Sequence, residues 1–132
     1  MKIFLGGTCN ESKWREELIP MLKVDYFNPI VEDWTEESIE IENEEKYSKC
    51  DCLLFVITSA MTGVYSIAEM VEGCFLEDKM LVYNIIPDNF NEGQLRSLKA
   101  VEKILIKNGA LGFIGNDLKR LANILNNQPK GK

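Results

Sequence analysis

Five short apolar segments alternate with five amphipathic segments along the 132 residues of this chain. Each apolar segment has the length and the near-continuous apolar character of a buried strand, and each amphipathic segment carries apolar residues at helical spacing. The predicted strands are residues 2–7, 24–31, 51–58, 80–86 and 110–114. The first predicted helix has its N-cap at Asn10 or Ser12 and ends at Lys23. The other four predicted helices cover residues 35–48, 66–78, 93–108 and 116–126. This alternation predicts a parallel sheet with helices on both faces and right-handed crossovers.

The expected architecture is α/β: a flavodoxin-like three-layer αβα sandwich with a five-stranded parallel sheet in the order 2-1-3-4-5. Residues 1–126 are expected to form a single domain, because no linker or repeat divides them, and residues 127–132 a frayed tail. In such sheets, ligands bind beyond the carboxyl ends of the strands, at the switch point between strands 1 and 3. This rule selects residues 6–10, 28–34 and 58–66 as the ligand-binding segments.

Composition excludes several classes of protein. The longest uninterrupted apolar run, Cys52–Ile57, is far shorter than the roughly 20 residues that span a bilayer. The chain also begins directly with a predicted strand, so we expect no signal peptide, no membrane partner and a cytoplasmic location. Because binding to a phosphate backbone requires a basic surface, the net charge of −6 argues against nucleic acid as a partner.

The charge is unevenly distributed. The first 94 residues carry 7 basic and 19 acidic side chains, whereas the last 38 carry 8 basic and 2 acidic ones. Two differently charged solvent-exposed faces, or contact between acidic and basic faces of two subunits, would both account for this asymmetry. Residues 32–45 hold eight acids and no base, so repulsion opposes the helix predicted there. Packing, a partner or a ligand must therefore stabilise that helix.

The chain has no histidine and four cysteines, none of which forms a C-x-x-C pair. A zinc site is therefore not expected, nor is any other metal or cofactor. The absence of histidine excludes Ser-His-Asp and Cys-His catalysis. Any proton transfer must depend on carboxylates, lysine, tyrosine or cysteine.

The segment after the third strand, Gly63-Val64-Tyr65-Ser66-Ile67-Ala68-Glu69, is a candidate site. Gly63 allows close approach of the backbone to a ligand, and Ser66 is expected at or near an N-cap, where free N–H groups bind anions. Glu69 is expected in the first helical turn, where the helix dipole favours the ionised form that a carboxylate nucleophile needs. The alternative is that Ser66 only caps the helix and Glu69 only complements its dipole.

Two further segments lie at the same predicted edge of the sheet. Gly6-Gly7-Thr8 forms a short glycine turn after strand 1, where a phosphate or sugar would sit. Asn28, Asp33 and Trp34 follow strand 2. Trp34 could stack on a base and Asp33 could bind a ribose hydroxyl, or Trp34 could close the core while Asp33 is solvated.

Taken together, these sequence motifs resemble those of the nucleoside 2-deoxyribosyltransferase-like proteins. The resemblance covers most of residues 1–86 and is carried by Ile3-Phe4-Leu5-Gly6-Gly7, Phe27-Asn28-Pro29, Asp33-Trp34, residues 50–58 and Gly63–Glu69. It implies a nucleoside or nucleotide substrate, with Glu69 as the nucleophile that forms a glycosyl ester. Glu42, Glu45 and Asp33 are then candidates for proton transfer to the leaving base, with Glu45 or Asp33 favoured. The resemblance also implies a homo-oligomer, a dimer or larger, in which neighbours complete each other's pockets.

The chain departs from the family pattern at three positions. Phe4 stands where the family often has an aromatic hydroxyl, and Gly63 stands where it commonly has an aspartate. A second aspartate of the family, ahead of strand 3, aligns around residues 42–45, where this chain has no aspartate. Three functions therefore stay open: transfer of deoxyribose, hydrolysis of the N-glycosidic bond, and binding or sequestration of a nucleoside derivative without catalysis.

Overall fold

A computed structural model describes residues 1–9, 12–31 and 33–128 of the chain. Its five strands are β1 (Lys2–Gly7), β2 (Asp25–Phe27), β3 (Cys52–Ile57), β4 (Met80–Ile85) and β5 (Leu111–Ile114). All neighbouring strands pair in parallel, in the order β2-β1-β3-β4-β5. The predicted flavodoxin-like topology is therefore confirmed.

The described residues form five α-helices around the sheet: α1 (Trp14–Leu18), α2 (Glu36–Glu44), α3 (Tyr65–Gly73), α4 (Glu92–Lys107) and α5 (Leu118–Asn126). All six residues of β3 are buried. Because side chains alternate along a strand, the sheet has one apolar cluster on each face. One cluster joins the sheet to α1 and α5 through Ile3, Leu5, Trp14, Leu18, Leu54, Val56, Leu121 and Leu125. The other joins it to α3 and α4 through Phe4, Leu53, Phe55, Met70, Tyr83, Leu98 and Leu105.

The two prolines near the N-terminus set where their elements end. Helix α1 stops at Leu18, and a 3₁₀ turn over Ile19–Met21 contains Pro20, as expected for a residue without an N–H donor. Strand β2 covers only Asp25–Phe27 instead of the predicted residues 24–31, because the next residues, Asn28 and Pro29, interrupt the strand. Asn10, one of the two caps expected for the first helix, lies outside the described residues, as does the end of the tail (129–132).

The acid-rich segment forms a largely exposed helix, on which only Ser38 and Glu42 are half-buried. Thr35 caps α2 as predicted, since its Oγ1 accepts a hydrogen bond from the N–H of Ser38 at 3.1 Å. No residue of α2 is buried. The helix is shorter than predicted, because a π-helical turn over Glu45–Lys49 follows it. Both Glu45 and Lys46 are buried in that turn.

Helix α3 begins one residue earlier than predicted and ends at Gly73. Ser66 is its second residue, and no side chain caps its N-terminus. Glu69 is the fifth residue, so the prediction that it lies in the first turn is wrong. The field of the helix dipole falls off within that turn, and another group must hold the charge of Glu69. Among the described residues, no helix has both the length and the apolar character that crossing a membrane requires.

Candidate active site

A cavity of about 310 Å³ opens at the carboxyl ends of β1 and β3, at the predicted switch point. Six residues predicted from the sequence line it, namely Gly6, Gly7, Trp34, Glu42, Ser66 and Glu69. The other lining residues are Phe4, Cys9, Arg15, Pro29 and Tyr65. A smaller cavity of about 170 Å³ adjoins it and is lined in part by Thr8 and Gly63. The two cavities share Gly7, Cys9, Tyr65 and Ser66.

Glu69 forms an ion pair with Lys46. The Nζ atom of Lys46 donates a hydrogen bond to Oε2 of Glu69 at 2.6 Å. The side chain of Lys46 is only 3% exposed and that of Glu69 only 10%. Burial lowers the pKa of Lys46, but the hydrogen bond and the charge of Glu69 outweigh burial, so the pKa of Lys46 is raised overall. Lys46 therefore carries the positive charge that the helix dipole was expected to supply.

Glu42 is a second carboxyl group of the same cavity. It is half-buried on the last turns of α2. Its pKa is raised above the ordinary value, first because burial disfavours the ionised form and second because Glu69 is negatively charged nearby. The charges of Lys46 and Arg15 oppose this shift but do not cancel it. The cavity thus combines one carboxylate paired with a cation and one carboxyl that favours its proton.

Arg15 shapes the loop after β1. Its Nε and an Nη atom donate to the carbonyl oxygen of Leu5 at 3.0 and 2.8 Å, and its other Nη donates to the carbonyl oxygen of Thr8 at 2.8 Å. The indole N–H of Trp14 donates to the same Thr8 oxygen at 2.9 Å. Burial lowers the pKa of Arg15, while Cys9 and Glu42 partly offset this effect. Arg15 therefore brings a positive charge to the cavity while its donors hold the backbone.

The glycine turn is held against β3 at very short range. Gly7 has a φ of 113°, and a Cβ atom there would lie 2.1 Å from the carbonyl oxygen of Val56. A Cβ on Gly6 would lie 2.6 Å from the ring of Phe55. Thr8 ties the two strand ends together, since its Oγ1 accepts a hydrogen bond from the N–H of Thr58 at 3.0 Å. Gly6 and Gly7 thus pack the end of β1 closely against β3, and the hydroxyl of Thr8 has a structural role beside them.

Three predicted residues line neither of these two cavities. The carboxylate of Glu45 binds Nζ of Lys2 at 2.7 Å, and Lys2 begins β1 at the opposite end of the strand from the cavity. Asn28 is exposed, and its Oδ1 accepts a hydrogen bond from the N–H of Ile30 at 3.3 Å. Asp33 is also exposed, although its neighbour Trp34 lines the cavity. Of the two glutamates considered on the acidic helix, the structure thus brings Glu42 rather than Glu45 to Glu69.

Sequence reasoning missed Lys46 and Arg15. Both are buried basic residues, a rare state for lysine and arginine unless they are paired. One signal was available for Lys46, because it is the first base after a long acidic run. Arg15 follows Trp14 on an amphipathic helix and carried no comparable signal.

A larger groove of about 610 Å³ lies between α3 and α4. Its lining includes Met61, Val64, Ile67, Phe90, Leu98 and Val101, and none of its described lining residues is ionisable. Chemistry that needs a nucleophile and a proton donor is therefore supported by the 310 Å³ cavity and not by the groove.

A comparison with known protein families matches residues 1–86 to the family described as nucleoside 2-deoxyribosyltransferase like. The matched segment is well over half of the chain and includes every residue that lines the 310 Å³ cavity. No curated protein and no solved structure matches the chain significantly.

Proposed function

The chain belongs to the nucleoside 2-deoxyribosyltransferase-like family, and on that premise we propose that it cleaves or transfers the N-glycosidic bond of a nucleoside or nucleotide. The observation that carries this proposal is the pair of carboxyl groups in one cavity. Glu69 is paired with the cation of Lys46, whereas the pKa of Glu42 is raised by burial and by Glu69. A carboxylate paired with a cation and a second carboxyl whose pKa is raised are suited to act as nucleophile and acid.

In the first step, an oxygen of Glu69 attacks the anomeric carbon C1′ of the sugar. The C1′–N bond breaks, its electron pair goes to the leaving base, and Glu42 gives its proton to that base. In the second step, water or an acceptor base attacks C1′ and the ester bond to Glu69 breaks. The electron pair returns to the Glu69 carboxylate, and the proton of the incoming group goes to Glu42. The configuration at C1′ is retained, as in other two-step glycosyl transfers.

The remaining lining residues suit a flat base and a compact sugar. The exposed ring of Trp34 offers a stacking surface at the mouth. Gly6 and Gly7 leave room beside the backbone for the sugar, and Thr8, Gly63 and Ser66 face the adjoining cavity where substituents on the sugar would extend. Asn28 and Asp33 are each next in sequence to a lining residue, so we propose them as contacts at the mouth. Glu45 is left out of the proposed site because Lys2 holds its carboxylate.

Substitution of Glu42 by glutamine is expected to slow base release by about a hundredfold or more, the usual contribution of a positioned general acid. The amide fills the same space but has no proton of suitable acidity to give. In the wild type, activity should fall as the pH rises and Glu42 loses its proton. Because the pKa of Glu42 is raised, this fall should lie above the pH at which an ordinary glutamate ionises. The measurement is the rate of base release, followed by chromatography across pH.

Glu40→Gln is the matched control, because it removes one charge from an exposed position of the same helix. Glu45→Gln separates the two candidates for the acid. Full activity of Glu42→Gln together with loss of activity in Glu45→Gln would contradict the assignment of Glu42.

Binding without catalysis is the second candidate function. Phe4 and Gly63 favour it, since they replace a hydroxyl and a carboxylate that the resemblance places in active relatives. The same panel of nucleosides distinguishes the two functions: heat of binding in calorimetry without any release of base would establish a binding protein.

We also propose that the chain forms a homo-oligomer through exposed apolar side chains at the two ends of α3. Val64 and Tyr65 at its start and Phe75 just beyond its end are 75%, 72% and 66% exposed, and Tyr65 and Val64 border the cavity and the groove respectively. Light scattering should give the mass of a dimer or larger, and the mass should persist in 1 M salt, because apolar contacts are not screened. Dissociation in salt would instead point to contact between the acidic and basic faces, and a monomeric mass would contradict the proposal.

A further inference from the structure

A buried lysine, Lys46, is paired with Glu69, and its charge also acts on Glu42. Resting on the proposed function, we propose that Lys46 is a positioning residue that serves both carboxyl groups in turn. It holds Oε2 of Glu69 before attack, and it counterbalances the carboxylate of Glu42 once Glu42 has released its proton.

The backbone places Lys46 in this position through the π-helical turn. The N–H of Cys50 donates to the carbonyl oxygen of Glu45 at 2.8 Å, which closes a loop one residue longer than that of an α-helix. Lys46 follows Glu42 by four residues, the spacing at which helical side chains are neighbours. Its ammonium group then extends under α3 to Glu69. One side chain is therefore close to carboxyl groups from two different helices.

The contact with Glu69 fixes the orientation of the carboxylate. Because Nζ of Lys46 binds Oε2 at 2.6 Å, rotation of the carboxylate is restricted and the other oxygen, Oε1, is the one left to attack. The ring of Tyr47 lies 4.7 Å from the same Nζ and covers it on one side. A nucleophile held in this way avoids the loss of rate that follows from small misplacements of a reacting atom.

The charges stay balanced through the reaction. In the reactive state that the proposed mechanism requires, Glu69 is negative, Lys46 is positive and Glu42 carries the proton. After the first step, Glu69 is a neutral ester and Glu42 is negative, so Lys46 still faces one negative charge. Uncompensated charge inside a protein is strongly unfavourable, and a shared cation prevents it in both states. The other ionisable groups that face these three are Arg15 from α1 and Tyr47 from the π-helical turn.

Replacing Lys46 by methionine tests this role, with Lys49→Met as the matched control. Lys49 lies on the same turn, but it is exposed and 3.9 Å from Glu44. Lys46→Met is expected to lower kcat about a hundredfold with little change in KM, and Lys46→Arg is expected to restore most of the loss. Lys49→Met should behave as the wild type.

The pH profile separates this role from a merely structural one. The charge of Lys46 lowers the pKa of Glu42, so its removal should move the alkaline limb of base release to higher pH. Lys46→Gln keeps a hydrogen-bond donor and serves as the second variant if Lys46→Met does not fold. A folded Lys46→Met or Lys46→Gln with the wild-type rate and pH profile would overturn this inference alone, provided that the wild type releases base. If the wild type releases no base from any nucleoside, the proposed function fails and this role fails with it.

Discussion

Replacing Glu69 by glutamine is expected to reduce base release on the order of 10⁴-fold or more, as removal of a nucleophile does in other enzymes. An amide oxygen is too weak a nucleophile to form the glycosyl ester. Glutamine keeps the shape of the side chain and an oxygen that can accept the hydrogen bond of Lys46. Alanine is the poorer choice, because it would leave a buried ammonium without its partner, at a cost of about 3–5 kcal/mol in stability.

Glu72→Gln is the matched control for this experiment. Glu72 lies one turn further along α3, is exposed, and accepts a hydrogen bond from the hydroxyl of Tyr47 at 2.7 Å. The mass of the intact protein after mixing with a nucleoside should show the added sugar in the wild type and in Glu72→Gln, but not in Glu69→Gln. Undiminished base release by Glu69→Gln would remove Glu69 from the mechanism.

Replacing Gly7 by alanine is expected to lower the free energy of unfolding by about 3 kcal/mol or more. The φ of 113° at Gly7 is one that residues with a Cβ rarely adopt. In addition, the new Cβ would lie 2.1 Å from the oxygen and 2.6 Å from the nitrogen of Val56. Both atoms belong to the backbone of the central strand, so neither can move without disturbing the sheet. Urea denaturation of the purified protein measures the loss.

Gly63→Ala is the control for the loss of glycine itself. Gly63 lies in a loop at the same edge of the sheet, a Cβ there would meet no atom within 4 Å, and its φ is not positive. The free energy of unfolding of the Gly63→Ala variant should stay within about 0.5 kcal/mol of that of the wild type. Equal unfolding midpoints for Gly7→Ala and the wild type would show that the turn after β1 can relax, contrary to this expectation.

The topology of the sheet was predictable because burial decides it. Strands β3 and β4 are covered on both faces, so β3 is apolar without interruption and β4 carries one polar residue, Asn84. Glycine and proline mark the ends of β1 and β2 for equally local reasons. The helix boundaries were less predictable: α3 ends at Gly73, five residues before the predicted end, although Cys74 and Leu76, which continue the apolar pattern, still pack partly buried against the core while Phe75 is exposed.

The candidate site was predictable only in part. Glu69, Trp34 and the glycine turn follow from their positions at the ends of strands. The choice between Glu42 and Glu45 did not, because it depends on which partner each carboxyl finds: Lys2 from the far end of β1 binds Glu45, and Glu69 from α3 lies near Glu42. Both contacts join residues more than twenty positions apart, and no local pattern encodes them. The burial of Lys46 depends on the same long-range packing.

The π-helical turn makes the length of this part of the chain as important as its composition. A residue in an α-helix is rotated by about 100° from the one before it. Deletion of one residue between Glu42 and Lys46 would therefore swing the ammonium group around the helix and away from Glu69, even if every remaining side chain were kept. Insertions and deletions within residues 42–50 should be tolerated far less than substitutions at the exposed positions of this segment. A sequence alignment that places a gap there would pair residues whose roles differ.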